Sequence, residues 1–466
     1  MKMWLTGDLN PHYLTYPSLF YYLQAAWQAA IGHIGGIVHP ALLTSPSTLQ
    51  PFYYGMSRAL TALLGTLAVF VTYLVGCRLS TRIGLIAALF LAVAAIHVQQ
   101  SHYITVDATT ALFTAAAAFF ALAMLADDHS AFSIMLIASS VSAGLAAGTK
   151  YNAALAIAMP LAALAFAGNR PIRRRLAEAL GALGVCVLTF LITTPFVLLD
   201  SALFKASLQS VFQHYNGGHA GAQGNDNAVW YLWDLAMRGI GLPMTVLALV
   251  GVPLVAFRFR KQGIVLLAFV IPYYVLLCST LVRFDRNLLP ILPFLALLAA
   301  CACDTAAAGI GRVLRNEWVS LALVLVVAAG PSLYLAAYGD QLSDYALAHR
   351  FTEEVAADWA NAHLPAHAEV ATENWEGRVF DSSPRHFRIH WASSLGNVPF
   401  SSLVRQGVRF VITDSYTDGE YEHDPRHFPV QAARYRELRR KAKVIAIIHS
   451  DGQDRPGPMM TIYRIP

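Results

Sequence analysis

The sequence concentrates its reactive side chains in a few short polar segments between long apolar runs. In the segment QQSHYITVD, residues 99–107, Asp107 directly precedes a run of Ala, Leu and Phe. An ionisable group at such a boundary is costly unless it is solvated or used. Asp107 is therefore a candidate functional residue, and His102 and Tyr103 could join it in a substrate or metal site. Alternatively, Asp107 caps a helix that begins at Ala108, where its charge suits the helix dipole.

Two other segments supply cations. Lys150 and Tyr151 stand between two apolar runs, so the lysine either neutralises a lipid phosphate or extends its ammonium to the membrane interface. In VRFDRNLLPILP, residues 282–293, Arg283 and Arg286 flank an aspartate. Guanidinium groups bind phosphate through a bidentate fork, and the alternative is an internal pair with that aspartate.

A fourth polar segment, residues 200–238, combines aromatic rings, carboxylates and imidazoles with intervening glycines. Its members are His214, Tyr215, His219, Asp226, Trp230, Trp233 and Asp234. Aromatic rings with carboxylates can bind sugars, but aromatic residues also form ordinary interfacial belts. Together the four segments indicate an enzyme that acts at a membrane surface on a lipid-linked phosphate. A transporter would instead bury polar groups near the middle of the membrane, in broken or repeated helices.

The composition indicates lipid as the solvent of the elements that position these groups. Of 466 residues, 56% are hydrophobic and only 13% are charged, and the mean hydropathy is +0.49. Soluble domains carry about 25% charged residues. We therefore predict a polytopic α-helical membrane protein with a C-terminal soluble α/β domain.

Apolar runs of membrane-spanning length predict about ten transmembrane helices. They lie near residues 57–77, 83–98, 108–125, 132–148, 152–168, 178–199, 240–257, 263–281, 286–305 and 318–338. A further stretch, Tyr16 to Ile34, is rich in Tyr and Trp and interrupted by polar residues. It is more typical of an interfacial or re-entrant helix than of a span.

Basic residues alternate between the predicted connections. One set of connections holds Arg78, Arg82, Arg170, Arg173, Arg174, Arg175, Arg258, Arg260, Lys261, Arg312 and Arg315, and the other holds Lys150, Lys205, Arg238, Arg283 and Arg286. The positive-inside rule places the richer set in the cytoplasm. Ten spans then put both termini, and the C-terminal domain, on the outer face of a bacterial cytoplasmic membrane.

Three regions follow along the chain. Residues 1–56 form an external or interfacial segment, residues 57–338 the transmembrane region, and residues 339–466 the extracytoplasmic domain. In this domain 351–365 and 430–441 are predicted helices, and four β-branched runs, AEVAT, RFVIT, KVIAIIH and MTIYRI, are predicted strands. The alternation of helices and strands indicates an α/β layer structure.

Several of these segments also resemble the C-type membrane glycosyltransferases, in the branch of bacterial protein mannosyltransferase-like and aminoarabinose transferase-like enzymes. They are TGDLNPHYLTYPSLFYYLQAAW, SRALTALLGTLAVFVTYLVGCRL, SHYITVDATTALF, AGLAAGTKYNAAL, RNLLPILPFLALL and GPMMTIYRI. The order and spacing of these segments, which cover most of the chain, carry the resemblance.

The resemblance implies transfer of a sugar from a polyprenyl-phosphate donor in the membrane to a protein, lipid or glycan acceptor, with no nucleic acid partner. It implies catalytic carboxylates, for which Asp107 and Asp8 are the candidates. It also implies cations that offset the charge of the departing phosphate, for which Lys150 and Arg286 are the candidates.

Further substrate-binding candidates are His102, Tyr103, Tyr151, Arg283 and Tyr16. The resemblance also implies a divalent metal near the catalytic carboxylate, with Asp107 and His102 as the candidate ligands. No other cofactor is expected.

The chain departs from the family pattern at its start. The family's first helix and the acidic pair after it precede the TGDL segment, but here Gly7 lies six residues after Met1. The expectation is that this chain lacks that helix and that base, with Asp8 matching the position after the base. Two alternatives to an enzyme stay open: a transporter or flippase of lipid-linked sugars, and a non-catalytic relative that acts as a binding or assembly protein.

Overall fold

A computed structural model describes residues 3, 6–37, 50–125, 132–166, 170–373, 383–451 and 455–466. It divides into two compact units. The larger comprises residues 1–217 and 224–339, and the smaller comprises residues 218–223 and 340–466.

The larger unit is helical. Its α-helices are α1 Leu19–Gly36, α2 Gln50–Cys77, α3 Thr81–Ala92, α4 Ala95–His102, α5 Asp107–Ala123, α6 Phe132–Thr149, α7 Ala158–Ala165, α8 Ile172–Thr193, α9 Phe196–Leu199, α10 Ser201–Gly217, α11 Asn227–Asp234, α12 Leu242–Arg258, α13 Arg260–Cys278, α14 Leu292–Leu314 and α15 Glu317–Ala348. Two 3₁₀ segments, Tyr151–Ile157 and Asp285–Ile291, precede α7 and α14, and a π-helical segment, Leu235–Gly239, follows α11.

Each of the ten predicted spans coincides with one or more described helices, but fewer of these helices are long enough to cross a membrane. Six described helices have the length and apolar composition of a span, and α3 with α4 makes a seventh if the pair, bent by 57°, counts as one. The helices at the predicted spans 108–125, 152–168 and 240–257 are shorter apolar helices of 10–17 residues, and 167–168 lie outside the described residues. The helices of this integral membrane protein thus support six or seven crossings, against the ten predicted.

Small residues allow the helices of this unit to approach closely. A Cβ atom at Gly144 in α6 would lie 2.6 Å from the carbonyl oxygen of Cys186 in α8. A Cβ atom at Gly251 in α12 would lie 2.0 Å from the carbonyl oxygen of Leu298 in α14. Close backbone approach through small residues is typical of helices that pack within membranes.

Among its described residues the smaller unit contains five strands and four complete α-helices. In chain order they are α16 Thr352–His363, β1 Glu369–Glu373, β2 Arg388–Ala392, α17 Phe400–Arg405, β3 Phe410–Asp414, α18 Thr417–His423, α19 Pro429–Lys441, β4 Lys443–Ile448 and β5 Met460–Arg464, with the end of α15 before them. A short 3₁₀ turn, Leu395–Asn397, precedes α17. Both predicted helices and all four predicted strands are present, and β2 is an additional strand.

The strands form one mixed sheet in the order β2-β1-β3-β5-β4. Strand β1 pairs in parallel with β2 and β3, whereas β5 pairs antiparallel with β3 and β4. Because successive side chains point to opposite faces, Val370 and Ile412 join the core under α16, and Ala371 and Val411 join the core under α17 and α19. The sheet therefore has helices on both faces, as predicted for an α/β layer structure.

Candidate functional site

A buried ion pair lies where α5 begins and α6 ends. The Nζ atom of Lys150 lies 2.7 Å from Oδ1 of Asp107, and the two residues are 6% and 1% exposed. The carboxylate does not act as a helix cap, because Asp107 is itself the first residue of α5 and bonds to Lys150. Its position in the first turn still suits the helix dipole. The two candidates from separate polar segments are thus one charged unit.

Asn287 completes the setting of the lysine. Its Oδ1 atom accepts a second hydrogen bond from Lys150 Nζ at 2.9 Å, and its backbone carbonyl accepts one from the hydroxyl of Tyr273 at 3.1 Å. Asn287 lies in the 3₁₀ segment before α14, so two separate parts of the chain hold the ammonium. An ammonium has three N–H donors, and these contacts engage two of them.

Tyrosines and a second cation surround this pair. The hydroxyls of Tyr16, Tyr215, Tyr231 and Tyr273 all lie within electrostatic range of Lys150. The guanidinium of Arg286 interacts electrostatically with Tyr16, Asp107 and Tyr215. The structure therefore brings together four of the predicted site residues: Tyr16, Asp107, Lys150 and Arg286.

Neighbouring contacts hold the backbone of this cluster. The hydroxyl of Tyr151 donates to the carbonyl of Leu14 at 2.9 Å, which connects the segment before α1 to the turn that carries Lys150. Next to the ion pair, the hydroxyls of Thr110 and Thr149 lie 2.9 Å apart and link α5 to α6. Both threonines are completely buried, so the geometry of the ion pair is set by packed helices.

Other predicted residues lie apart from this cluster. Arg283 pairs with Asp226 at 2.7 Å and lies over the ring of Trp230, so its partner is not Asp285. Asp8 is exposed and its Oδ2 atom lies 2.7 Å from Nε2 of His12. The carboxylate of Asp285 accepts instead from the backbone N–H of Arg286.

The two candidate metal ligands, Asp107 and His102, differ in their exposure and in their partners. His102 and Tyr103 are exposed at the end of α4, and within the described residues neither bonds to Asp107. The carboxylate of Asp107 is occupied by the ammonium of Lys150. No group of three or more His, Cys, Asp or Glu side chains suited to a metal ion occurs among the described residues.

Sequence reasoning missed Asn287, Tyr231 and Tyr273. Asn287 belongs to the polar run before a predicted span, which is a signal of the same kind as the arginine beside it. Tyr231 and Tyr273 lie in apolar surroundings, where a tyrosine is indistinguishable from a packing residue before the helices are assembled.

The fold is that of solved membrane glycosyltransferases. ArnT from Cupriavidus metallidurans in the apo state superposes with a TM-score of 0.60 at 17% identity, covering 99% of this chain and 91% of that one. The same protein bound to undecaprenyl phosphate matches at 16% identity with the same TM-score and coverage. The oligosaccharyltransferase of Archaeoglobus fulgidus, in a complex with Zn and sulfate, matches with a TM-score of 0.55 at 13% identity, covering 95% of this chain and 65% of that one.

A sequence match covers part of the chain. Residues 44–168 match the family of dolichyl-phosphate-mannose-protein mannosyltransferases, and this region includes both Asp107 and Lys150. None of the curated proteins matches the chain. The predicted resemblance to the C-type membrane glycosyltransferases is therefore confirmed by the family match and by the fold.

Proposed function

We propose that this protein is a glycosyltransferase that moves a sugar from a polyprenyl-phosphate donor to an acceptor at the outer face of the bacterial cytoplasmic membrane. The observation that carries the proposal is the buried ammonium of Lys150, held between Asp107 and Asn287 beside Arg286. The mannosyltransferase family match over residues 44–168, which include Asp107 and Lys150, and the ArnT structure with undecaprenyl phosphate support it.

Lys150 and Arg286 bind the phosphate of the donor. When the bond between the anomeric carbon and the phosphate oxygen breaks, negative charge collects on the departing polyprenyl phosphate. Cations fixed in advance stabilise such charge more effectively in a site with little water than in bulk solvent. Asp107 and Asn287 engage two of the three N–H donors of Lys150, which leaves one for a phosphate oxygen.

The acceptor supplies the electron pair that forms the new bond. A carboxylate removes the proton from its hydroxyl or amine as the oxygen or nitrogen attacks the anomeric carbon, and the polyprenyl phosphate leaves from the opposite face with inversion. Asp107 is our candidate for this base. Its bond to Lys150 supports a further role, orienting the ammonium, and the exposed Asp8 is the second candidate for the base.

The lipid part of the donor requires apolar surface near the phosphate site. A cavity of about 210 Å³ lies among α12, α13 and α14, with walls that include Ile240, Val270, Tyr274 and Leu298. Ile291, which also lines it, ends the 3₁₀ segment that begins beside Arg286. We assign this cavity to the first part of the polyprenyl chain.

The test replaces Lys150 and its partner Asp107 together, so that no buried charge is left unpaired. Because deleting one member of a buried ion pair costs about 3–5 kcal/mol, Lys150→Met alone could fail to fold, so the informative variant is Asp107→Asn with Lys150→Met. We expect it to fold and to transfer sugar at least about 100-fold more slowly, the loss that follows removal of one preorganised charge-stabilising donor.

Transfer is measured in proteoliposomes with radiolabelled polyprenyl-phosphate hexose and pentose donors and a cell-envelope fraction as acceptor. Lys205→Met, which removes an exposed lysine of α10, is the matched control and should retain wild-type transfer. A double variant that unfolds at the wild-type temperature and transfers sugar as fast as the control would remove Lys150 and Asp107 from the mechanism.

A further inference from the structure

A second cavity lies beside the cluster, between the segment before α1, α1 itself and the start of α2. Its volume is about 420 Å³, within the range of cavities that bind small molecules. Aromatic rings make up much of its wall: Tyr13, Phe20, Tyr21, Tyr53 and Tyr54. Nothing in the proposed chemistry of Lys150 and Arg286 uses these residues.

Two buried amide groups complete the wall. Gln24 and Gln28 lie one turn apart on α1, line the cavity, and are 7% and 8% exposed. Their amide nitrogens donate to α2, Gln24 to the carbonyl of Ser57 at 3.2 Å and Gln28 to its hydroxyl at 2.7 Å. The amide oxygens of Gln24 and Gln28 take no part in these bonds. Neither oxygen has a hydrogen-bond partner in the part of the chain that the structure describes.

The cavity adjoins the proposed phosphate site. Its wall includes Ile104, three residues before Asp107. It also includes Tyr13, which directly precedes Leu14, and the carbonyl of Leu14 accepts the bond from Tyr151. The cavity wall therefore includes residues that are close in sequence to Asp107 and to Leu14, the residue bonded to the neighbour of Lys150.

The side chains of the cavity wall favour one chemical class of ligand over others. A buried acceptor without a donor costs free energy, and an acyl chain has no N–H or O–H group to offer it. A sugar ring has both features that the wall requires, because its C–H faces stack on aromatic rings while its hydroxyls donate hydrogen bonds. A free cation would find no carboxylate among the cavity-lining residues.

We propose that this cavity binds a sugar ring, stacked on the tyrosines and donating hydroxyl hydrogen bonds to the amide oxygens of Gln24 and Gln28. The ring belongs either to the acceptor glycan or to the donor. This assignment to a substrate rests on the proposed function, whereas the binding of a sugar does not.

Binding is tested on the full chain in nanodiscs, with methyl glucopyranoside, mannopyranoside and galactopyranoside as probes and saturation-transfer NMR as the readout. We expect at least one pyranoside to bind in the millimolar range, and Gln24→Leu and Gln28→Leu each to weaken it about tenfold by removing one acceptor. Gln209→Leu, at an exposed glutamine of α10, is the matched control and should bind as the wild type does.

Tyr54→Leu keeps the test decisive if the buried variants do not fold, because the tyrosine is 53% exposed and its ring stacks without supporting the core. It should also weaken binding about tenfold. Absence of pyranoside binding to the wild type, or equal binding by all folded variants, overturns the proposal.

Transfer kinetics then distinguish the source of the ring. A tenfold rise in KM for the acceptor with an unchanged KM for the donor assigns the acceptor sugar, and the reverse assigns the donor sugar. Unchanged values for both substrates in variants that bind pyranoside more weakly overturn the assignment to a substrate. If even the wild type transfers no sugar, the proposed function fails, and the pyranoside measurement still decides the cavity.

Discussion

At the scale of single residues, this chain places charge where little water reaches it. Lys150 is useful to a phosphate because Asp107 and Asn287 hold its ammonium in one position. Such a pair contributes little net stability, since the cost of desolvating two charges offsets their attraction. Its value is the fixed position of a cation.

Glu373 in the smaller unit is also a buried ionisable group, but here burial favours the uncharged form. It is completely buried at the carboxyl end of β1. Its Oε2 atom accepts from the hydroxyl of Tyr435 at 2.5 Å and from the backbone N–H of Leu395 at 2.8 Å. Burial raises the pKa of Glu373 from 4.5 to about 8, against these hydrogen bonds and with a smaller contribution from the charge of Asp414.

This raised pKa predicts that the smaller unit loses stability as pH rises. Between pH 4.5 and 8 the folded state holds a proton on Glu373 that the unfolded state has released, so the free energy of unfolding falls with pH in this window. We expect hydrogen-exchange protection of β3 and β5, corrected for the intrinsic pH dependence of exchange, to fall at least about tenfold from pH 5 to pH 8.

Glu373→Gln is the matching variant, because glutamine is neutral at every pH and can still accept from Tyr435. Its protection should fall less than that of the wild type across the same window, and the remaining fall comes from Asp418, whose pKa burial raises to about 6. A wild-type profile that falls no more steeply than that of Glu373→Gln would show that Glu373 titrates at its ordinary pKa.

At the scale of elements, glycines determine how closely the helices approach. Gly251 of α12 faces the backbone of Leu298 in α14, where a Cβ atom would lie 2.0 Å from the carbonyl oxygen. The backbone cannot move aside as a side chain could. Gly184 of α8 is exposed and has no atom within 4 Å of its Cβ position. The two glycines therefore differ only in what surrounds them.

We predict that Gly251→Ala lowers stability by about 1–3 kcal/mol, the usual cost of overpacking, because α12 and α14 must separate. Gly184→Ala should leave stability unchanged or slightly higher. The measurement is the unfolding temperature of each purified variant in one detergent. Equal temperatures for the two variants would show that α12 and α14 do not make this close contact.

At the scale of the whole molecule, the distribution of basic residues predicts the orientation of the chain in the membrane. The cationic loops around residues 170–175 and 258–261 alternate with connections poor in basic residues, which the positive-inside rule assigns to the two faces of the membrane. The proposed function requires the site to lie on the outer face, and the ten spans predicted from the sequence would place the smaller unit there as well.

Cysteine labelling tests this orientation. All five native cysteines are buried or half-buried, and after their replacement a single cysteine is introduced at exposed Gln406 or exposed Arg173. A membrane-impermeant maleimide should label Gln406→Cys in intact spheroplasts, and Arg173→Cys only after permeabilisation. The reverse pattern would invert the topology and contradict a site on the outer face.

Much of the fold could be predicted because local composition decides it. Apolar runs form helices in lipid, since every backbone group must be bonded within the segment, and each predicted run coincides with one or more described helices. The strands β1, β3, β4 and β5 are β-branched and apolar. Strand β2, with the sequence RIHWA, was missed because it is short and contains Arg388 and His390, which weaken the β-branched, apolar signal that marks the other strands.

The number of crossings was predicted less well, because an apolar run does not specify the length of its helix. Helices α5 and α12 are apolar and have 17 residues each. Where a helix begins and ends depends on its packing in the folded chain, which cannot be read from hydropathy.

The sequence by itself determined that this is a helical membrane protein with an α/β unit at its C-terminal end, and that Asp107, Lys150 and Arg286 stand at helix ends. Composition and local pattern suffice for this, because lipid and the backbone impose the same rules on every segment. Only the tertiary structure decided that Lys150 bonds to Asp107, 43 residues away, and to Asn287, 137 residues away. Contacts over such separations depend on how helices pack, which the spacing of residues along the chain does not encode.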